Sequence, residues 1–92
     1  MAYRITERQR ANAKRLGVHI EPSTVNGKKI DVFKNGQKVA SIGAMGYGDY
    51  DIFLKTKGKE YADSRRKAYK QRHESNRHKS GTAGYYADKI LW

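Results

Sequence analysis

The chain has no cysteine, a single proline and no long run of apolar residues. The lack of cysteine excludes disulfide bonds and metal sites built on thiolates. No apolar run approaches the roughly 18–20 residues that a membrane-spanning helix needs, and Met1-Ala2-Tyr3-Arg4 is not the apolar stretch of a signal peptide. We therefore expect a soluble protein of a cell interior or an enclosed particle, compatible with a reducing compartment.

Apolar residues are also scarce. They make up 37 % of the 92 residues, and the mean hydropathy is −0.97, whereas globular proteins average roughly 45–50 % apolar residues. A chain of this length buries only about 60 % of its unfolded surface, which leaves a thin margin of stability. The sequence predicts a single domain over residues 1–92 with a small core.

Positive charge, in contrast, is abundant and unevenly distributed. The net charge is +11. Residues 1–16 hold five Lys or Arg and one acidic residue, residues 55–79 hold ten and three, and residues 17–54 and 80–92 are neutral. Two basic segments therefore flank a neutral middle. This distribution predicts a polyanionic partner, which is nucleic acid, an acidic protein surface or an anionic membrane.

The first basic segment, residues 1–17, predicts a helix. Thr6 with Gln9 three residues later has the form of a capping box, and Gly17 suits the left-handed position that ends a helix. Good helix formers fill most of the stretch from Glu7 to Leu16. The apolar side of this helix is narrow, so burial alone does not stabilise it and we expect it to need a partner's surface.

The neutral middle, residues 18–54, predicts an antiparallel β-meander. It contains two Asn-Gly pairs, Asn26-Gly27 and Asn35-Gly36. Asn-Gly is the preferred sequence of the two-residue type I′ turn, because both turn residues adopt a positive φ. The sequence therefore predicts two hairpins, of which the second has the clearer flanking strands.

The second Asn-Gly pair also fixes the register of its hairpin. Strands over about 29–34 and 37–42 follow from a turn closed on this pair. The register places Val32 opposite Val39 and Phe33 opposite Lys38. The first pair closes in the same way between Val25 and Lys28.

Three further segments complete the prediction of an α+β fold. The glycine-rich stretch from Gly43 to Tyr50 predicts a loop in which Tyr47 and Tyr50 pack against C-terminal aromatic side chains. Residues 51–54 form a short strand or lead directly into the next helix. Residues 58–74, within the basic region 55–79, predict a helix. Residues 80–92 predict a short aromatic helix or turn that folds over the sheet and completes the core.

The basic segments with interleaved tyrosines are the main candidate for a binding site. Basic side chains contact phosphates, and tyrosine rings stack on unpaired bases. The alternative is a solvated face of a protein that happens to be basic. The candidate polyanion-binding residues are Arg8, Arg10, Lys14, Arg15, Lys59, Arg65, Arg66, Lys67, Lys70, Arg72, Arg77 and Lys79, and the candidate stacking residues are Tyr61 and Tyr69.

Other residue combinations do not point to catalysis. The glycine-rich stretch lacks the Lys-Ser/Thr of a P-loop. His73 and His78 are five residues apart, which does not place them on one helical face for a metal. Asp49 and Asp51 could form a catalytic or Mg²⁺-binding pair of carboxylates. The favoured interpretation is structural: the two are a turn residue and a strand residue, or they pair with the basic helix. We therefore expect no enzyme, no metal and no cofactor.

Two segments resemble a known family. They are Gly43-Ala44-Met45-Gly46-Tyr47-Gly48-Asp49-Tyr50 and the ending Arg72-His73, Thr82-Ala83-Gly84-Tyr85-Tyr86 and Ile90-Leu91-Trp92. The family consists of short basic proteins of unknown function from large double-stranded DNA viruses of algae and protists, and from some phages. The resemblance covers about residues 39–92. Met45 and Gly48 stand where a basic residue and serine are common in the family.

The resemblance implies a viral origin and a non-enzymatic role in or around the particle. Together with the charge, it leads us to expect a minor structural component of the virion, part of a larger assembly, that contacts capsid proteins or packaged genome. A free nucleic-acid-binding accessory protein of the infected cell is the alternative. A third hypothesis is an inhibitor of a host nucleic-acid enzyme. We expect no small-molecule substrate.

Overall fold

A computed structural model describes residues 3–92, so Met1 and Ala2 lie outside it. The fold is α+β, with one helix before a three-stranded antiparallel sheet and the other helices after it, as the sequence predicts. None of the described helices is long and apolar enough to cross a membrane. The elements are α1 (Glu7–Leu16), β1 (His19–Pro22), β2 (Lys28–Lys34), β3 (Gln37–Ala44), α2 (Tyr50–Lys57), α3 (Lys59–Arg72), α4 (Ala83–Tyr86) and a π-helical segment (Ala87–Leu91).

Helix α1 begins and ends at its predicted residues. The Thr6 hydroxyl accepts a hydrogen bond from the Gln9 backbone N–H, and the Gln9 side chain accepts one from the Thr6 backbone N–H, which confirms the capping box. Gly17 ends the helix with a φ of 73°. Few apolar side chains are buried on this helix, so its position depends on polar contacts with later parts of the chain.

The sheet has the order β1-β2-β3, and β2 and β3 are joined by Asn35 and Gly36. Both residues have positive φ, 53° and 79°. Phe33 lies opposite Lys38, but the predicted pairing of Val32 with Val39 is wrong. A β-bulge after Val32 shifts the register by one residue, so Val32 pairs with Ala40 and Val39 is 41 % exposed.

The connection between β1 and β2 differs from the predicted type I′ turn. The Lys28 backbone N–H donates to the Val25 carbonyl at 3.1 Å, so the turn closes between the expected residues. Gly27 has a φ of 83°, but Asn35 is the only non-glycine residue with positive φ among residues 3–92. Asn26 therefore keeps a negative φ, and only the glycine of this pair uses its conformational freedom.

The core lies between one face of the sheet and the C-terminal segment. This placement confirms that the C-terminal residues fold over the sheet and complete the core. Helix α1 closes one side with Ala13. The buried core residues are Ala13, Ile20, Ile30, Val32, Ile42, Tyr86, Ile90 and Leu91.

The predicted β-meander ends earlier than residue 54, because residues 50–57 form helix α2. The Asp49 carboxylate accepts a hydrogen bond from the Ile52 backbone N–H at 3.0 Å and caps this helix. The strand alternative for residues 51–54 is therefore wrong, and the segment that precedes the basic helix forms a separate helix that the sequence did not predict. Gly58, with a φ of 94°, separates α2 from the basic helix α3 and lets the two helices pack against each other.

Gly43 combines a positive φ of 77° with a close approach of two chain segments. A Cβ at this position would lie 2.9 Å from Lys29 Cδ and 3.0 Å from Leu91 Cδ1. Gly46 has a similar φ of 89°, yet a Cβ there would meet nothing within 4 Å. A comparison of alanine substitutions at the two glycines therefore separates the cost of backbone strain, present at both, from the cost of steric contact, present at Gly43 alone.

We expect Gly46→Ala to lower the free energy of unfolding by about 1 kcal/mol, the cost of a left-handed conformation. Gly43→Ala adds overpacking against the core and lowers it by about 2–4 kcal/mol in total. Urea unfolding of both variants measures the difference. Equal losses would contradict the close packing of β3 against Lys29 and Leu91.

Candidate functional site

The acidic side chains are used mainly within the fold. Seven of the nine carboxylates form ion pairs with Lys, Arg or His. Seven of the 20 Lys and Arg side chains form such pairs within residues 3–92. Most of the positive charge therefore has no carboxylate partner in the described part of the chain. The paired cations are Arg8, Lys29, Lys38, Lys59, Lys70, Arg77 and Lys89.

Helix α3 presents part of this charge on one face, along an open depression of about 460 Å³ that we call the α3 groove. The spacing of three and four residues along α3 aligns the side chains up to Gln71. Glu74 and Arg77 join the groove from the residues that follow α3. Of the predicted polyanion-binding residues, the groove brings together five. Its lining residues are Lys59, Asp63, Arg66, Lys67, Lys70, Gln71, Glu74 and Arg77.

Three of the five cations in the groove form ion pairs with carboxylates. Lys59 Nζ lies 2.7 Å from Asp63, and this hydrogen bond, with a second one from the Tyr50 hydroxyl, lowers the pKa of Asp63. Lys70 and Arg77 contact the buried Asp88 carboxylate at 2.8 and 3.4 Å. Arg66 and Lys67 take part in no ion pair among residues 3–92 and supply the unbalanced charge of the groove.

Tyr50 fixes the guanidinium of Arg66. The Arg66 guanidinium carbon lies 3.7 Å from the centroid of the buried Tyr50 ring, and that of Arg8 lies 4.8 Å from the same centroid. The Tyr50 hydroxyl donates to Asp63 at 2.8 Å. Tyr50 therefore packs among basic side chains and not against the C-terminal aromatics, and the prediction for Tyr47 is also wrong because that ring is 74 % exposed.

The predicted N-terminal cations have different environments. Arg8 donates to Asp51 at 2.8 Å and to the Leu91 carbonyl at 3.0 Å, so it joins α1 to α2 and to the C-terminal segment. Arg15 donates to the Asn12 side chain. Arg10 and Lys14 are exposed and take part in no ion pair among residues 3–92. Only the exposed cations of α1 are free to meet a partner.

Helix α3 lines a second cavity with a different face. This cavity of about 470 Å³ lies between α3, α2, the end of the sheet and the C-terminus, and we call it the aromatic pocket. Its lining includes Arg65 and Arg72 from the predicted set, together with Lys28, Phe53 and Trp92, which the sequence did not indicate as binding residues. These residues come from distant segments of the chain, so the pocket depends on the fold.

The predicted stacking residues are already in contact with other rings. Tyr69 stacks on Trp92, with ring centroids 4.5 Å apart and planes 12° apart, and its other neighbour His73 lies at 4.4 Å. Tyr61 meets the Phe53 ring edge-on at 5.3 Å. Burial raises the pKa of Tyr69, with a further contribution from Asp88. Tyr69 therefore builds the wall of the aromatic pocket, and Tyr61, 44 % exposed, is the more accessible ring.

The residues considered for other chemistry serve structural roles. Asp49 caps α2 and forms a buried pair with Lys29 of β2 at 3.0 Å. Asp51 lies in α2, not in a strand, and pairs with Arg8 of α1. The prediction that these carboxylates pair with the basic helix α3 is therefore wrong. His78 contacts Glu74 at 3.0 Å. Among residues 3–92, no group of three His, Cys, Asp or Glu side chains is placed to hold a metal ion.

Lys79, the last of the predicted cations, is exposed after α3, where its carbonyl accepts a hydrogen bond from the Thr82 hydroxyl at 2.7 Å. Seven of the twelve predicted cations thus lie on two separate surfaces around α3, four lie on α1, and Lys79 lies on neither surface. Comparison of the chain with family models, curated proteins and solved structures found no match, so the resemblance of residues 39–92 to a viral family stays a prediction.

Proposed function

We propose that this protein is a non-enzymatic nucleic-acid-binding protein that contacts the phosphate backbone through the α3 groove. One observation carries the proposal: most carboxylates are engaged within the fold, while most Lys and Arg side chains have no acidic partner among residues 3–92. Self-repulsion among such charges destabilises a compact protein. A polyanion relieves that repulsion and releases its own counterions on binding.

Arg66 and Lys67 make the main contacts in this proposal. The Tyr50 ring holds the Arg66 guanidinium, so less side-chain entropy is lost when it binds a phosphate. Lys67 is exposed on the same groove and brings a mobile point charge. Lys59, Lys70 and Arg77 are partly neutralised by carboxylates and contribute less per residue. None of these contacts distinguishes one base from another, so binding is independent of sequence.

The double variant Arg66→Gln/Lys67→Gln tests the proposal. We expect a fluorescently labelled duplex to bind the unmodified protein with an affinity that falls by about 10²–10³ between 50 and 200 mM salt. The double variant should reduce the slope of log affinity against log salt by about 2, since each lost phosphate contact removes about 1. Fluorescence anisotropy at several salt concentrations measures both quantities.

The matched control is Lys34→Gln/Lys55→Gln, which also removes two exposed charges without an ion pair among residues 3–92 and away from the groove. Its slope should change by much less than that of the groove variant. Equal changes in the two variants would contradict the groove as the contact surface and indicate attraction by net charge alone. The absence of duplex binding at low salt would contradict nucleic acid as the partner.

The setting we propose is the interior of a virus particle, where the protein is a minor structural component bound to the packaged genome. The resemblance of residues 39–92 and the net charge of +11 support this setting. Mass spectrometry of purified particles tests it, with a fixed copy number per particle as the expected result. Binding to nucleic acid without copurification would instead support a free accessory protein of the infected cell.

A further inference from the structure

The aromatic pocket combines a cationic rim with an aromatic wall. Phe53, Tyr69 and Trp92 form the wall, with the Phe53 and Trp92 ring centroids 6.2 Å apart. Lys28 and Arg72 are exposed at the pocket. This combination occurs at a different face of α3 from the groove, so the two surfaces can be occupied together.

The cations of the pocket have no carboxylate partner among the described residues. Lys28, Arg65 and Arg72 take part in no ion pair there, and Asp49, the acidic side chain in the lining, is 1 % exposed and already paired with Lys29. The Arg65 guanidinium lies over the Phe53 ring at 5.7 Å. An anion that enters the pocket therefore meets positive charge without competition from an accessible carboxylate.

Arg65 also has an unsatisfied donor. Its Nε, like that of Arg66 on the groove, is inaccessible to solvent and has no hydrogen-bond partner among the described residues. A buried donor without a partner is costly, and native structures hold few of them. An anionic oxygen in the pocket would bond the terminal nitrogens of this guanidinium, and such a charge-assisted bond is stronger than one between neutral groups.

From these observations we infer that the aromatic pocket binds one unpaired nucleotide, with the base against the Phe53 and Trp92 rings and its phosphate between Arg65, Arg72 and Lys28. Tyr69 supports Trp92 from behind, because its own neighbours are Trp92 and His73. The inference rests on the proposed function and names the form of nucleic acid that the pocket accepts. The cavity volume of about 470 Å³ lies in the range of small-ligand sites. A free phosphate would leave the aromatic wall unused, and an apolar ligand would leave the cations unused.

The nucleotide has to be unpaired because a base within a duplex is covered on both faces by its neighbours. Stacking of a base on an aromatic side chain contributes without regard to sequence, since every base has a π-face. The pocket therefore favours single strands, overhangs and frayed ends. The groove holds the backbone of the strand to which that nucleotide belongs.

Trp92 is the only tryptophan of the chain and lines the pocket, so its fluorescence reports occupancy directly. The probes are adenosine monophosphate, adenosine and inorganic phosphate. We expect the monophosphate to change the Trp92 emission with saturation, and each of the other two to require at least about tenfold more ligand, because each engages only one part of the pocket.

Arg72→Gln is the test variant, because Arg72 is exposed and its loss leaves the core intact. It should weaken binding of the monophosphate by about tenfold, as expected for a lost charge-assisted bond. Lys34→Gln also removes one exposed charge but lies at neither the pocket nor the groove, so it should leave that binding unchanged. No saturable Trp92 response at millimolar monophosphate, an equal response to inorganic phosphate, or an unchanged affinity in Arg72→Gln would overturn the inference.

A second measurement separates the pocket from the groove. Arg72→Gln should lower affinity for a duplex with a single-stranded overhang more than affinity for the blunt duplex. Salt-dependent binding of the blunt duplex without a Trp92 response to the monophosphate would contradict the nucleotide pocket and support the proposed function. A Trp92 response without duplex binding would support the nucleotide pocket and contradict the proposed function.

Discussion

Asp49→Asn should lower the free energy of unfolding by about 3–5 kcal/mol, because it leaves a buried ammonium without its counter-charge. Lys29 and Asp49 side chains are 3 % and 1 % exposed, and Lys29 Nζ lies 3.0 Å from Asp49 Oδ2. After the substitution, the full charge of Lys29 would rest on the Tyr47 carbonyl at 2.6 Å. Removal of one partner of a buried pair is costly for this reason.

Asp49→Asn removes the negative charge of this side chain and retains its role as the helix cap. Asn caps a helix about as well as Asp, so the bond from the Ile52 backbone N–H to Oδ1 is retained. The Tyr3 hydroxyl, 2.6 Å from Asp49 Oδ2, loses a charged acceptor as well. Burial and this hydrogen bond raise the pKa of Tyr3 above its ordinary 10.0, so Tyr3 stays a neutral donor throughout the experiment.

Urea unfolding of Asp49→Asn, Lys29→Met and the double variant measures the coupling. We expect the double variant to lose much less than the sum of the single losses, because it removes both buried charges together. Asp63→Asn, the same substitution in the exposed pair with Lys59, is the control and should have a far smaller effect. Additive losses would contradict the buried pair as the link between the sheet and α2.

Local signals explain why part of the fold is predictable. Helix α1 has its cap, its helix formers and its terminal glycine within twelve consecutive residues, from Thr6 to Gly17. Helix α2 has only the Asp49 cap as a local start signal, and the glycine-rich residues before it indicate a loop that can be followed by a strand or a helix. No local sequence pattern predicts the β-bulge after Val32, because its position depends on which side chains of the two strands pack into the core.

The candidate site was predictable in composition but not in arrangement. The sequence predicts a basic helix over residues 58–74. Which of its cations remain without a carboxylate partner, however, depends on contacts with distant residues. Lys70 is held by Asp88, eighteen positions later, and Arg66 by Tyr50, sixteen positions earlier. The aromatic pocket also depends on contacts between distant residues, because Trp92 stacks on Tyr69 only when the C-terminus folds over the sheet.

Asp88→Asn should have two opposite effects, since this carboxylate both stabilises the C-terminal segment and neutralises the groove. The Asp88 side chain is fully buried, and Lys70, Arg77 and Lys89 surround it at 2.8, 3.4 and 3.5 Å. Those cations keep part of their hydration and can turn to solvent when the charge is lost. The free energy of unfolding should therefore fall by about 2–3 kcal/mol, less than for a fully buried pair.

Stability measured against pH gives an independent check of the Asp88 network. Burial alone would raise the pKa of Asp88, but Lys70, Arg77 and Lys89 outweigh it and hold the pKa below its ordinary 3.8. The stabilisation is therefore present above the unfolded value and is lost as pH falls through the folded pKa. The difference in unfolding free energy between the unmodified protein and Asp88→Asn should shrink below about pH 4. A constant difference would contradict the ionised carboxylate.

Binding should change in the other direction. Without Asp88, Lys70 and Arg77 gain freedom to meet phosphates along the α3 groove. The slope of log affinity against log salt should become steeper by about 1–2, one for each released cation. Anisotropy titrations at a temperature where circular dichroism shows the variant folded measure this slope. A shallower slope in the folded variant would mean that Asp88 positions these cations for binding and does not hold them back.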